Sequence, residues 1–325
     1  YNPIHRAVYR IHPSTKDAFP YQARSFFVLS ALPPTSILVV DCCMTASFAL
    51  WLADNGFGNI VRQEAVGGGC INDTQRLTMD AGASIFLKQH GQSPDGMFHA
   101  EAVGLAALGE CAALRIPNVI HVEDNFLLLE DLGQGTPGTH FWKQLGEGLA
   151  KLHSNRHPRF GFSLDNYCGS TPQQNSLTVD GYEFFANYRI LKLASQAFHR
   201  NLLTREDLSG LESIAARLAD WIPAQPAVLI HGDLWSGNLH CDELGNPALI
   251  DPASYWGWAE AELAMTELFG GFASDFYHYY AEHSNLDGNW RERAPLYNLY
   301  HLLNHLLLFG GSYLAPIRNT INRFA

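Results

Sequence analysis

Residues 231–238 read HGDLWSGN, entered from AVLI (227–230) and left through LHCDELGNPALIDPA (239–253). The short apolar runs on either side, AVLIHGD and PALIDP, predict strands. Between them His231, Asp233 and Asn238 stand at fixed offsets, and a second carboxylate, Asp251, ends the second apolar run. A carboxylate and an amide five residues apart can share one tight loop. A further carboxylate beyond a short strand can return to the same place.

Upstream of this stretch the chain alternates turns with short strands. ASFALWLADNG (46–56) reads as a helix ending at Gly56. NIVRQEAV, INDTQRLTM and ASIFLK read as three strands, the first two joined by VGGGC (66–70). Gly67, Gly68 and Gly69 allow backbone N–H groups to approach phosphate oxygens without a Cβ in the way. Alone that is weak evidence, because most Gly-rich turns bind nothing. The stretch is not GxxxxGK[ST]. Lys88 ends the third strand, and Glu101 follows thirteen residues later on an Ala-rich helix, MFHAEAVGLAALGEC (97–111). After a strand region opened by Pro117 and the strand NFLLLEDL (125–132), GQGTPG (133–138) reads as a linker.

Beyond Gly138 helices dominate. Trp142, Leu145, Leu149 and Leu152 recur at helical spacing. GFSLDNYCGSTPQQN (161–175) reads as a polar loop and YEFFANYRILKLASQAF as a helix. Thr204 with Asp207 predicts a capping box opening LSGLESIAARLADWI. Three helices are expected after the opening motif. His301 and His305 share a helix face, but no Glu completes HExxH, so a packed face is expected there rather than a metal site.

The chemistry follows from the order of parts. Asp233 and Asn238 match the offset in H-R-D-x-x-x-x-N, in which Asp accepts the proton of the attacking hydroxyl and Asn reaches a magnesium ion. Asp251 stands where a second metal carboxylate belongs, and few, hard oxygen ligands suit Mg²⁺. His231 is expected to brace the loop. Gly-rich turn, Lys88, Glu101, HxDxxxxN and Asp251 together predict an α+β, bilobal, protein-kinase-like fold. It has a sheet-rich N-lobe (44–132) that binds nucleotide and a mainly helical C-lobe (133–325) that carries catalysis and substrate.

Composition sets the outer limits. The 325 residues carry a net charge of −11, which argues against nucleic acid and anionic membranes as partners. Six cysteines at 42, 43, 70, 111, 168 and 241 form no CxxC pair and no disulfide framework, which suggests a reducing, cytoplasmic setting. Residues 1–43 show no sustained period and carry five prolines. Their apolar run SFFVLSALPPTSILVVDCC is split by Pro33-Pro34 into pieces far short of the roughly 20 residues of a membrane span. They are expected to be a non-native or disordered extension upstream of Met44, removable without loss.

From about Met44 to Phe309 the chain resembles the fructosamine (ketosamine) kinase family, relatives of the aminoglycoside and choline kinases. The resemblance rests on GGGCIN (67–72), FLK (86–88), MFHAEAVGL (97–105), FGFSLDNYCGSTPQQN (160–175), HGDLWSGN, DPASYWG (251–257), LFGGF (268–272) and LLNHLLLFGG (302–311). It implies an ATP- and Mg²⁺-dependent kinase that phosphorylates the 3-hydroxyl of ketosamines, free or protein-bound, and so leads to deglycation. By position it implies phosphate contacts at Lys88 and Glu101 and adenine contacts through the backbone of 129–132, among them Glu130 and Leu132. Asp233 would be the base, with Asn238 and Asp251 holding metal. Trp235, Gln173 and Asn175 would lie on the substrate side. For Trp235 a core position is an equal alternative; Gln173 and Asn175 are the weaker substrate-side candidates, with loop capping as their alternative. Cys70 in the glycine turn could act as a redox switch, with the chain a monomer or a redox-linked dimer; a small buried side chain is the favoured reading. Trp258 stands where the resemblance has a frequent His, and Leu177 and Gly181 where it has tryptophans, which bears on substrate identity. Kinases of other small alcohols (aminoglycoside, choline, sugar) and a non-catalytic nucleotide-binding regulator are the alternatives.

Overall fold

The computed structural model describes residues 46–67 and 73–325. The expected N-terminal extension and the loop carrying Gly68, Gly69 and Cys70 lie outside them. Helix α1 (Ala46–Asp54) precedes a five-stranded antiparallel sheet of β1 (Ile60–Ala65), β2 (Asp73–Met79), β3 (Ser84–Gln89), β4 (Val119–Val122) and β5 (Phe126–Glu130). The strand order is β1-β2-β3-β5-β4. Leu77 and Met79 of β2, Ile85 and Leu87 of β3 and Leu127–Leu129 of β5 are buried. The three consecutive leucines of β5 suit a strand covered on both faces. Trp51 of α1 stacks on His121 of β4 with ring centroids 4.1 Å apart. Helix α2 (Met97–Glu110) crosses from β3 to β4 and buries Phe98, Leu105 and Leu108.

Register places the polar parts. On β3 the pairs Leu87↔Leu128 and Lys88↔Leu127 put Lys88 in the middle of the sheet, beside α2. Asp131, just past β5, takes a bidentate contact from Arg76 of β2, at 2.6 and 3.0 Å, which ties the end of the sheet to the chain that leaves it.

The segment 133–138 has no regular structure, as its composition predicts, but it does not hang free. Gly135 N donates to Cys241 O and Gly138 N to Gly245 O. Both acceptors belong to the hairpin of β10 (Leu239–Cys241) and β11 (Pro247–Leu249), which directly follows HGDLWSGN.

The remainder is mainly helical. Helix α3 (Phe141–Leu152) packs Leu145 and Leu149 inward, at the predicted spacing. A three-stranded sheet joins β6 (Arg156–His157), β9 (Ala227–Ile230) and β12 (Tyr255–Gly257) in the order β12-β9-β6. The two apolar runs flanking the motif are thus strands, but they belong to different sheets, and the motif bridges them.

Residues 161–175, expected as a polar loop, instead form the hairpin of β7 (Asn166–Cys168) and β8 (Thr171–Gln173) with Asn166, Cys168, Gln173 and Asn175 buried. Helices α4 (Gly181–Phe185) and α5 (Lys192–His199) are joined by a π-helical turn, Ala186–Leu191. Helix α6 (Arg205–Ala216) opens with the predicted capping box of Thr204 and Asp207. Helices α7 (Ala259–Leu268), α8 (Ser274–Glu282) and α9 (Trp290–Phe309) follow, and then a fourth, α10 (Leu314–Phe324), where three were expected. Its Ile321 side chain covers Gly210 of α6. Among the described residues no helix is long and apolar enough to cross a membrane.

Candidate active site

The sequence 231–238 folds as a loop because two other parts of the chain hold its ends. His231 is fully buried. Its Nε2 donates to Ile250 O at 2.8 Å, and its Nδ1 accepts from Asp233 N at 3.3 Å. The expected bracing role fits these bonds. Burial lowers the proton affinity of the ring, and Glu262 and Asp251 nearby oppose that only in part. Glu262 of α7 does more. Its carboxylate accepts from His231 N at 2.9 Å, from Gly232 N at 2.8 Å and from His153 Nε2 at 3.1 Å. Burial disfavours that charge, yet the His153 and backbone contacts outweigh it and lower the pKa of Glu262. Gly232 has φ +83°, and a Cβ there would sit 2.2 Å from Ala253 O. No other residue fits.

Leu234 points into the core and is fully buried, which anchors the middle of the loop. Gly237 lies under the Trp235 ring, where a Cβ would meet it at 2.4 Å. Trp235 is half-buried and meets Phe269 edge-on with centroids 6.1 Å apart. Phe269 in turn stacks on His305 at 4.6 Å. Trp235 is therefore neither a core tryptophan nor an isolated surface ring. It opens an aromatic wall.

Asp233 and Asn238 meet as their spacing predicts. Asn238 Nδ2 donates to Asp233 O at 2.8 Å and to Asp233 Oδ2 at 3.2 Å, with a longer contact of 3.4 Å to Asp251 O. The Asn238 side chain thus spends its N–H groups on the two aspartates, and its carbonyl oxygen is the atom left for a cation. Burial pushes the Asp233 carboxyl up to about 7; the Asn238 contact opposes the rise, while Asp251 and Glu262 add to it. A carboxylate so placed readily takes a proton.

Asp251 follows β11 after one intervening residue, Ile250, and has φ 57°, a left-handed backbone in a residue that is not glycine. Such a conformation costs of order 1 kcal/mol or more and persists only where the surroundings enforce it. Here Ile250 is held on both sides, by His231 and by its own N–H to Asn238 O. The turn sends the Asp251 carboxylate to Lys88, with Nζ to Oδ1 at 2.9 Å. Glu101 of α2 takes the same ammonium at 2.6 Å. Burial alone would lower the pKa of Lys88, but the two carboxylates, Asp251 and Glu101, reverse that and raise it. Glu101 is raised by burial, against the pull of Lys88. The thirteen-residue step from Lys88 to Glu101 is therefore a true pairing, and Asp251 joins it from 163 residues away.

Other expected site residues fall differently. Glu130 turns its carboxylate to Arg115 and Asn118, and Leu132 O accepts from Glu243 N at 3.0 Å. Gly67 follows β1 at the edge of the described residues. Gln173 and Asn175 were expected on the substrate side, but the structure places both inside the protein. Gln173 Nε2 donates to Asn166 Oδ1 and Ala253 O, and its Oε1 accepts from Tyr300 at 2.6 Å. Asn175 Nδ2 donates to Leu164 O and Asn166 Oδ1, and its Oδ1 accepts from Arg189 at 2.7 Å. Their polar atoms are taken by protein partners, and Gln173 braces the DPAS segment through Ala253.

Arg189 is the hub of this network and gave no sign in the sequence. It is fully buried, with its guanidinium 4.0 Å from the Tyr255 ring and 4.6 Å from that of Phe184. Trp258 is also internal, packed against Phe160, Tyr182, Phe185 and Tyr297. Gly181 lies against it: a Cβ there would meet Phe160 at 2.5 Å and Trp258 at 2.8 Å.

The sequence profile of the fructosamine kinase family matches residues 44–325. The chain belongs to the fructosamine kinase family. It is 39% identical over 259 residues to a protein named probable ketoamine kinase in Synechocystis, covering 78% of this chain and 87% of that one. It is 33% identical to the chloroplastic protein-ribulosamine 3-kinase of indica rice, over 99% of this chain and 93% of the relative. A solved structure from Thermobifida fusca, of a fructosamine-3-kinase candidate, superposes with a TM-score of 0.78 at 31% identity, covering 85% of this chain and 97% of the other. The choline kinase of Streptococcus pneumoniae shares the fold alone, with a TM-score of 0.59 at 14% identity. The chain is thus an enzyme of a kinase family with the bilobal α+β architecture. ATP is the phosphoryl donor that such an architecture implies.

Proposed function

We propose that this protein transfers the terminal phosphoryl group of ATP to the 3-hydroxyl of a ketosamine, on a free or protein-bound amine. The observation that carries the reading is the convergence of Lys88, Glu101, Asp251, Asn238 and Asp233 at one place, in a chain of this family. Asp233 takes the hydroxyl proton as the oxygen attacks phosphorus. Lys88, held by Glu101, binds the donor phosphates. Asn238 Oδ1 and the Asp251 carboxylate are hard oxygen donors and fit Mg²⁺, which would neutralise charge on the phosphates. By sequence order the glycines Gly67, Gly68 and Gly69 are assigned to the phosphates and the backbone of residues 129–132 to adenine. Trp235 and Phe269 offer the sugar an apolar wall beside the base. On this reading residues 44–132 form the nucleotide lobe and 133–325 the catalytic and substrate lobe.

The test is product analysis after incubation with ATP, Mg²⁺ and lysines carrying ribulosamine or fructosamine. The expected product is the 3-phosphate, followed by release of free lysine. ATP consumption with aminoglycosides, choline or free sugars, and none with ketosamines, would refute the substrate assignment.

A further inference from the structure

Three side chains from separate elements converge next to the loop: Cys168 at the end of β7, Asp233, and His301 in the middle of α9. One ligand-capable atom of each lies within 4.8 Å of the other two. His301 Nδ1 is 3.8 Å from Asp233 Oδ1, too far for a hydrogen bond. That nitrogen is buried and has no hydrogen-bond partner among the described residues. Burial, with His305 and Arg189 near, lowers the ring's pKa to about 3, so the contact with Asp233 is not an ion pair and the neutral imidazole can offer a lone pair. The two oxygens of Asp233 are divided, since Asn238 takes Oδ2 while Oδ1 faces the gap. Around the thiol, burial and Asp233 keep the proton on, while the side chains of Tyr300 and Asn304 favour its loss.

We propose that Cys168, His301 and Asp233 form a binding site for a thiophilic divalent cation of the Zn²⁺ class, and that its occupancy silences phosphoryl transfer. A set of one sulfur, one imidazole nitrogen and one carboxylate oxygen suits zinc and its soft relatives; magnesium prefers oxygen alone. Zinc bonds of roughly 2.0–2.3 Å place ligand atoms about 3.5 Å apart in a tetrahedron, so each pair needs to close by about 1.3 Å at most. Cys168 releases its proton to solvent as the bond forms. The cation holds the oxygen of Asp233 that would otherwise accept the substrate's proton. The site shares Asp233 with the proposed reaction, but cation binding does not depend on that reaction; only the silencing rests on it.

The experiment titrates the full chain with Co²⁺ and reads its absorption. A thiolate-to-cobalt band in the near ultraviolet and strong visible bands of tetrahedral Co²⁺ are expected in the wild type, displaced by Zn²⁺. Both should vanish in Cys168→Ala and in His301→Ala, with folding confirmed by circular dichroism. Absence of the bands in the wild type, or their persistence in either variant, overturns the site. With a ketosamine substrate and excess Mg·ATP, Zn²⁺ should inhibit the wild type at a concentration at least about tenfold lower than Cys168→Ala. Equal inhibition of both, with the bands lost only in the variant, overturns the silencing. A wild type that shows the bands but phosphorylates no ketosamine leaves the site established and the functional reading refuted.

Discussion

Lys88 holds Asp251 at 2.9 Å across 163 residues of chain, and the left-handed backbone of Asp251 is what aims it there. This one contact fastens the central strand of the sheet to the segment after HGDLWSGN. Replacing Asp251 by Asn should leave the protein folded, because Glu101 still pairs with the buried ammonium. It should raise the Mg²⁺ concentration needed for half-maximal turnover by about tenfold or more. A metal titration of the variant checks this, and an unchanged curve would remove Asp251 from the cation site.

Asp233→Ala should lower turnover by roughly 10²–10⁴, a general-base contribution, with little effect on ATP affinity. Steady-state kinetics beside a nucleotide-binding titration separates the two. Near wild-type turnover would sink the assignment.

Glu262→Ala removes the acceptor of two backbone N–H groups and one imidazole, all buried. Each orphaned donor costs about 1–3 kcal/mol, so the variant should lose several kcal/mol and a large part of its activity. Glu262→Gln keeps one acceptor oxygen and should recover part of both. Chemical denaturation and turnover measured on the pair would reveal whether this buried carboxylate truly shapes the loop.

Asp207 ties the start of α6 to Arg318 of α10 by two contacts of 2.8 and 2.9 Å. The Arg318 contact and the bonds within the capping box overcome a burial penalty and hold the Asp207 carboxyl at about 2. Its folded pKa lies below its unfolded one, so its stabilisation is complete above the unfolded value near 3.9 and fades as pH falls toward about 2. Asp207→Asn should therefore be less stable than wild type at pH 7, by an amount of order 1 kcal/mol. The gap should shrink as pH falls below about 4 and close only below about pH 2; a gap that stays constant with pH would show that the ion pair contributes nothing.

Much of the site was legible because kinase-like chemistry packs its polar residues into short motifs. HGDLWSGN places a base and an amide on one loop, and Lys88 with Glu101 lies on a strand and the next helix, so spacing alone brings them together. The capping box of Thr204 and Asp207 is equally local. What stayed hidden depends on distant partners. Glu262 looks like any acid on the first turn of a helix until His231 and Gly232 fold against it. Gln173 and Asn175 read as loop residues because polar side chains are buried only when acceptors wait for them. For Gln173 the acceptors are Asn166 and Ala253 and the donor is Tyr300, scattered over 135 residues (166–300). Helix α10 carries its apolar period in Ile317, Ile321 and Phe324, with Pro316 in its first turn, where the missing N–H has no intrahelical partner to lose.

The contact of Gly181 with Trp258 turns two departures from the family resemblance into one. The indole fills, from the α7 side, the space that a large side chain at 181 would otherwise claim. Neither position can drift alone: enlarging 181 collides with the indole, and shrinking 258 leaves a void over the glycine. Gly181→Trp and Trp258→His should each destabilise by about 3 kcal/mol or more, while the double variant should regain much of the loss. The same volume is then occupied from either of two directions, and a lineage crossing between them has to pass through a less stable intermediate unless both changes come together.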